Sequence, residues 1–127
     1  MEAVAYLDTH VVAWLYAGQA QSLSALARDT IEECELLISP MVLLELDYLV
    51  EIGRTRVRGA RIYEELHGRI GLRTCELPFD QVVRAASALT WTPDPFDRLI
   101  VGQASRADRR LVTKDGPIRA NYSRATW

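Results

Sequence analysis

The sequence has few residues of the kinds that bind transition metals or form disulfides: two cysteines and two histidines among 127 residues. Cys34 and Cys75 lack CxxC spacing and a nearby histidine, which argues against a zinc site or a redox pair. We interpret both as buried, reduced thiols. His10 falls on a predicted helix and His67 at a polar helix end, so we interpret both as structural.

Long apolar runs are also absent, because no stretch approaches the roughly 18 consecutive apolar residues of a membrane span. The N-terminal MEAVAYLD lacks the basic start and small-residue cleavage site of a signal peptide. We therefore expect no membrane segment and a cytoplasmic location. With 49% hydrophobic and 25% charged residues, the chain is predicted to form a single globular domain over 1–127.

Lysine is scarce, since Lys114 is the only one and the other fourteen basic residues are arginines. The chain carries one basic residue and nine acids up to Gly53, then fourteen basic residues and eight acids from Arg54 onward. The densest basic run, RTRVRGAR at 54–61, is either a solvated helix face or a phosphate-binding patch. Because the net charge is -2, the protein as a whole would not attract nucleic acid, and any such binding requires a local basic patch.

Short apolar runs alternate with helical patterns along the chain, and this alternation predicts an α/β fold. The predicted strands are 4–8, 35–39, 72–78, 109–116 and 123–127. The predicted helices are 9–17, 22–35, 41–53, 57–70, 79–90 and 94–108. Within 22–35, the residues expected on one buried face are Leu23, Leu26, Ala27 and Ile31. The alternation favours a parallel sheet of four to five strands with helices on both faces.

Several acids are predicted to lie at one edge of this sheet. Open parallel sheets bind ligands beyond the carboxyl ends of their strands, and Asp8 and Asp115 end the first and fourth strands. Asp97 lies in the first turn of a helix that leads to the fourth strand. Each acid alone has a structural explanation, because Asp8 and Asp94 could cap helices and Asp97 could interact with a helix dipole. Asp115 could form a turn with Gly116.

Glu45 adds a fourth acid on a predicted apolar helix stripe. The residues expected beside it are Met41, Val42, Tyr48, Leu49 and Ile52, whereas Asp47, Glu51 and Arg54 are expected on the opposite, solvent face. A buried carboxylate without a partner costs several kcal/mol or stays protonated, so Glu45 implies a cation or hydrogen bonds. Four carboxylates without histidine or cysteine partners suit Mg²⁺ or Mn²⁺ rather than zinc.

Four segments of the sequence, YLDTHVVAWL, SPMVLLEL, DPFDRLIVGQA and LVTKD, resemble the four acidic motifs of PIN-domain ribonucleases. The order and spacing are similar in particular to those of VapC-type toxins of bacterial toxin-antitoxin pairs. The resemblance covers essentially the whole chain and implies a PIN-like three-layer α/β/α fold. It implies that the catalytic, metal-binding acids are Asp8, Glu45, Asp97 and Asp115. It also implies supporting roles for Thr9, Asp94 and Thr113, and core packing for Trp14.

The resemblance implies a Mg²⁺-dependent endoribonuclease, with Mn²⁺ as a substitute, that leaves 5′-phosphate and 3′-hydroxyl ends. The implied partners are an RNA substrate, a cognate antitoxin that blocks the acidic pocket, and a second copy in a homodimer. Arginines near the site would hold phosphates that flank the cleaved bond. The candidates are Arg54, Arg56, Arg58 and Arg98.

Two other classes of function also place acids at the ends of parallel strands. A phosphoaspartate receiver or phosphatase is disfavoured because Asp8 has no neighbouring acid and LDTHV has no second Asp. A noncatalytic PIN-like binding module that has lost its metal is disfavoured because all four acids are present.

Overall fold

A computed structural model describes residues 3–127. Within this range the strands are β1 (Val4–Leu7), β2 (Glu35–Ile38), β3 (Arg73–Thr74), β4 (Arg110–Val112) and β5 (Ala125–Thr126). The helices are α1 (Thr9–Tyr16), α2 (Ala25–Glu33), α3 (Pro40–Glu51), α4 (Gly59–Ile70), α5 (Phe79–Ser87), α6 (Pro95–Ala107) and α7 (Gly116–Asn121), with a 3₁₀ helix at Ala20–Ser22. None of the helices described here is long and apolar enough to cross a membrane.

The strands form one parallel sheet in the order β3-β2-β1-β4-β5, flanked by helices. The predicted α/β/α architecture is therefore confirmed. The central strand β1 pairs with β2 through Val4 and Glu35, and with β4 through Ala5 and Arg110. Because β1 is buried on both faces by helices, Ala5, Tyr6 and Leu7 are all buried.

Polar side chains at the carboxyl ends of the strands start the helices that follow them. Asp8 after β1 accepts a hydrogen bond from the backbone N–H of Thr9, and Ser39 after β2 accepts one from Met41. Pro40 then occupies the first turn of α3, where a missing N–H costs nothing. Strands β1 and β2 therefore both end at this edge with a polar side chain that caps the next helix.

Helix α6 packs closely on α5 through Gly102. A Cβ at Gly102 would lie 2.9 Å from the backbone nitrogen of Ala86, closer than real Cβ contacts. The helix begins at a cap formed by Asp94, whose Oδ1 accepts hydrogen bonds from the N–H groups of Phe96 (2.8 Å) and Asp97 (3.3 Å). This cap fixes the direction in which the first turn of α6 enters the sheet edge.

Several expectations about burial are wrong. Leu26 is 53% exposed, because α2 turns Ala27 and Thr30 toward the core instead. On α3 the buried residues are Val42 and Leu46, while Tyr48 and Ile52 are about half exposed. The reason is that α3 packs on α1, α4 and α6 rather than on the sheet alone.

Three further differences concern single residues and one helix. Asp47 was expected on a free solvent face, but its Oδ1 accepts the N–H of Gly59 at 2.8 Å and so holds the start of α4. Cys34 is only half-buried, whereas Cys75 is buried as expected. Gly116–Asn121 forms the short helix α7, where the sequence suggested only a turn after Asp115.

Candidate functional site

Five carboxylates meet beyond the carboxyl ends of β1 and β4. We call them the acid cluster: Asp8, Glu45, Asp94, Asp97 and Asp115. Asp8 follows β1 and is buried, with 4% of its surface exposed. Glu45 lies on α3, Asp94 caps α6, Asp97 is in the first turn of α6, and Asp115 caps α7. The four acids predicted to form the site therefore come from four different parts of the chain.

Two threonines connect members of the acid cluster. Thr113, which is fully buried, donates its hydroxyl proton to Asp8 Oδ2 at 2.7 Å and accepts the backbone N–H of Asp115 at 3.1 Å. Thr9 donates its hydroxyl proton to Glu45 Oε1, while its backbone N–H donates to Asp8 Oδ1 at 2.8 Å. Each threonine thus contacts two of the acids, and the supporting roles proposed for both residues stay a prediction.

Burial and mutual repulsion raise the pKa values of two members of the acid cluster, Asp97 and Glu45. Burial, together with the smaller effects of the charges of Asp94, Asp8, Asp115 and Glu45 in that order, raises the pKa of Asp97 to about 7. Burial also raises the pKa of Glu45, although the hydrogen bond from Thr9 opposes this shift. Because burial and the neighbouring charges disfavour the charged forms of Glu45 and Asp97, the cluster favours a cation or a proton.

The protein supplies little positive charge to balance the cluster. Among residues 3–127, no lysine or arginine forms an ion pair with any of the five acids. A histidine does contact the cluster, since Nδ1 of His10 lies 3.6 Å from Asp8 Oδ2. Burial lowers the pKa of His10, and the charges of Asp8 and Asp115 only partly oppose this effect. A neutral His10 therefore leaves the negative charge of the cluster uncompensated.

His10 is a site residue that the sequence-based interpretation missed. Its Nε2 accepts the backbone N–H of Lys114 at 2.9 Å, so the ring proton of the neutral form is on Nδ1, facing Asp8. His10 thereby connects the end of β1 with the loop between Thr113 and Asp115. The signal available in the sequence was its position, two residues after an acid that ends a strand.

The arginines predicted to bind phosphates differ in how freely they can move. Arg98 donates from Nε and a terminal nitrogen to the carbonyl oxygens of Ala86 and Ser87, and so caps the end of α5. Arg58 forms ion pairs with Asp47 and Glu51. These two could bind RNA only by giving up those contacts. Arg54 and Arg56 are exposed in the segment between α3 and α4.

The donor chemistry of the acid cluster fits a hard divalent cation, because it consists of carboxylate oxygens. In their present positions, however, no three Asp, Glu, His or Cys side chains within residues 3–127 are arranged to hold a metal ion. Carboxylates that repel one another without a cation are expected to stand apart. A bound cation would relieve this repulsion.

Comparisons with known proteins agree with this architecture. A chain of the crystal structure of VapBC2 from Rickettsia felis bound to a DNA fragment from their promoter shares the fold, with a TM-score of 0.64 and 16% identity over 92% of both chains. No curated protein matches the sequence significantly. The sequence model of the PIN domain family matches residues 5–122, and proteins of this family are generally nucleases that use divalent metal ions. The chain therefore belongs to the PIN domain family.

Proposed function

We propose that this protein is a metal-dependent endoribonuclease that hydrolyses RNA phosphodiesters and leaves 5′-phosphate and 3′-hydroxyl ends. The observation that carries the proposal is the acid cluster, which lacks lysine or arginine partners among the described residues and in which burial and the neighbouring acids raise the pKa of Asp97 to about 7. A protein gains no stability from such repulsion, so its presence at a ligand-binding edge of the sheet indicates function.

Mg²⁺, or Mn²⁺ as its substitute, is the cofactor that the donor set favours. The residues that would hold it are Asp8, Glu45, Asp97 and Asp115. When bound, the metal would neutralise the phosphodiester and lower the pKa of a water molecule that attacks it. Asp94 would act through its charge and through the cap that positions Asp97.

The protein's own side chains prepare the site in three ways. Thr113 fixes the orientation of Asp8, and Thr9 fixes that of Glu45. The hydrogen bond from Lys114 to His10 holds the loop that carries Asp115 beside Asp8. These contacts limit the motion of the acids, so less conformational entropy is lost when the cation and the substrate bind.

We further propose that the protein is the toxin of a toxin-antitoxin pair, acting on RNA in the cytoplasm. The resemblance of its motifs to VapC-type toxins supports this role, as does the fold shared with a chain of VapBC2. The implied partners are an antitoxin that covers the acid cluster and a second copy of the chain. An apolar groove of about 230 Å³, which includes the exposed Leu44 and Phe79, supports a protein partner on the α3 and α5 face.

Cleavage of total cellular RNA tests the proposed activity. The wild-type protein, free of antitoxin, is incubated with Mg²⁺, with Mn²⁺ and with EDTA, and the ends of the products are mapped. We expect discrete cuts with 5′-phosphate ends that require metal and disappear in Asp97→Asn. Asp29→Asn is the matched control, because Asp29 is an exposed acid in the middle of α2.

Two outcomes would contradict the proposal. Cleavage that persists in EDTA would show that the acid cluster is not a metal site. RNA binding without cleavage under every condition, together with no heat of metal binding by titration calorimetry, would favour the noncatalytic binding module.

A further inference from the structure

An aromatic cluster lies beside the acid cluster. His10 and Trp14 stand one turn apart on α1, with ring centroids 5.1 Å apart in an edge-to-face arrangement. Trp127, after β5, packs on both of them, with its ring centroid 6.1 Å from that of Trp14. Three aromatic rings therefore meet next to the sheet edge where Asp8 and Asp115 lie. Trp14 packs against the core, as expected, but it is only partly buried, so part of its surface remains accessible.

The only lysine of the chain completes this group. Lys114 is exposed, and its Nζ lies 6.0 Å from the ring centroid of Trp14. This distance is at the outer limit of a cation–π interaction, so Trp14 holds the ammonium group only weakly. Within residues 3–127, Lys114 forms no ion pair with a carboxylate. The ammonium group is therefore free to bind an anion that arrives from solution.

An open pocket of about 340 Å³ joins the aromatic cluster to the acid cluster. It is lined by His10, Trp14, Lys114 and Asp115. Asp115 belongs to both clusters, so a ligand in this pocket would adjoin the acids directly. Proteins bind single-stranded nucleic acids through aromatic side chains and cations, because every base has a face that stacks on a ring. This open pocket offers both kinds of group.

We propose that His10, Trp14 and Lys114 form a stacking subsite. It accommodates one unpaired base of the RNA immediately beside the cleaved bond, and Lys114 binds the adjoining phosphate. The proposal rests on the proposed endoribonuclease function and adds a named position at which one base of the substrate is bound.

The closing experiment uses abasic RNA, which leaves the fold of the protein unperturbed. Short single-stranded RNAs that contain a mapped cleavage site are made with one base removed at each position in turn. In the wild type, loss of one particular base next to the cut should raise KM about tenfold, the size expected for one stacked base. In Trp14→Ala, loss of that same base should add little, because the stacking partner is already gone.

Lys114→Ala provides a second variant, because its exposed side chain can be removed without opening the core. We expect KM to rise and the slope of log affinity against log salt concentration to fall by about 0.7, the value for one lost phosphate contact on a single strand. Arg28→Ala, an exposed cation on α2, is the matched control and should leave both quantities unchanged.

A binding assay separates this proposal from the proposed function. Hexanucleotides with 2-aminopurine at each position in turn are mixed with Asp97→Asn protein in EDTA, where no cleavage occurs. One result would overturn the nuclease proposal and support the subsite: the wild type cuts no RNA, yet 2-aminopurine fluorescence is quenched at one position and the quenching depends on Trp14. Metal-dependent cleavage that is equally sensitive to base loss at every position, or unaffected by Lys114→Ala, would overturn the subsite alone.

Discussion

Replacing Asp97 by asparagine should stabilise the metal-free protein at neutral and alkaline pH. In the native state, burial and four neighbouring acids raise the pKa of Asp97 to about 7 from an ordinary value of 3.8. The folded protein therefore retains this proton at pH values where the unfolded chain has lost it. The free energy of unfolding falls as the pH rises from about 4 to about 7, and the deficit persists above pH 7.

The size of the effect follows from the shift. A difference of about three units corresponds to at most about 4 kcal/mol, at about 1.4 kcal/mol per unit. Asp97 is partly exposed, so solvent screening reduces this to about 2 kcal/mol. The favourable interaction of Asp97 with the first turn of α6, about 0.5 kcal/mol, would be lost in the variant and makes the gain slightly smaller. For a domain of this size, the expected rise in Tm is about 6 °C.

Urea denaturation in EDTA, repeated between pH 4.5 and pH 8, measures the effect. Asp97→Asn should exceed the wild type in unfolding free energy at pH 8 and match it near pH 4.5, whereas Asp29→Asn should follow the wild type throughout. Addition of Mg²⁺ should stabilise the wild type more than the variant, because a bound cation relieves the same repulsion. A variant that is no more stable than the wild type at pH 8, or whose advantage is independent of pH, would refute the electrostatic account.

Further predictions concern the helices and the supporting residues. Gly59→Ala should destabilise the protein by about 2 kcal/mol, because its Cβ would lie 2.5 Å from a carbonyl oxygen of α3. Gly68→Ala on the same helix should stabilise the protein by about 0.5 to 1 kcal/mol, because its Cβ would meet open space. Asp47→Ala should lower the unfolding free energy by about 1 to 2 kcal/mol in urea denaturation, through loss of the hydrogen bond from the Gly59 N–H. Thr113→Val should reduce metal affinity or cleavage rate by about 10- to 100-fold without unfolding the protein, because Asp8 loses the hydroxyl that orients it. Full activity in Thr113→Val, with Thr113→Ser as the conservative comparison, would contradict this role.

The sequence predicted the sheet edge because the rule that locates it depends on local features. Short apolar strands, the polar residues Asp8 and Ser39 that follow two of them, and Pro40 in the next helical turn are all visible in consecutive residues. Parallel topology then places the strand ends together. The assignment of metal-binding roles to the acids stays a prediction, because it depends on a ligand and not on the fold.

Contacts between elements could not be predicted from local pattern. The hydrogen bond from Gly59 to Asp47 depends on how α4 packs against α3, and the exposure of Tyr48 depends on the same packing. Likewise, His10 lies at the site because the loop after β4 places the backbone nitrogen of Lys114 2.9 Å from its Nε2. A helix of six residues, such as α7, has too few turns to produce a recognisable period.

The position of β1 at the centre of the sheet constrains the order of folding. The pairing of Val4 with Glu35 joins nearby parts of the chain, whereas the pairing of Ala5 with Arg110 closes a loop more than three times as long. Closing the longer loop costs about 1 kcal/mol more in chain entropy, so β4 is expected to dock after the N-terminal β1-α1-α2-β2 unit has formed. Because Thr113 and Asp115 arrive with β4, a chain still emerging from the ribosome would carry Asp8 and Glu45 without a completed site.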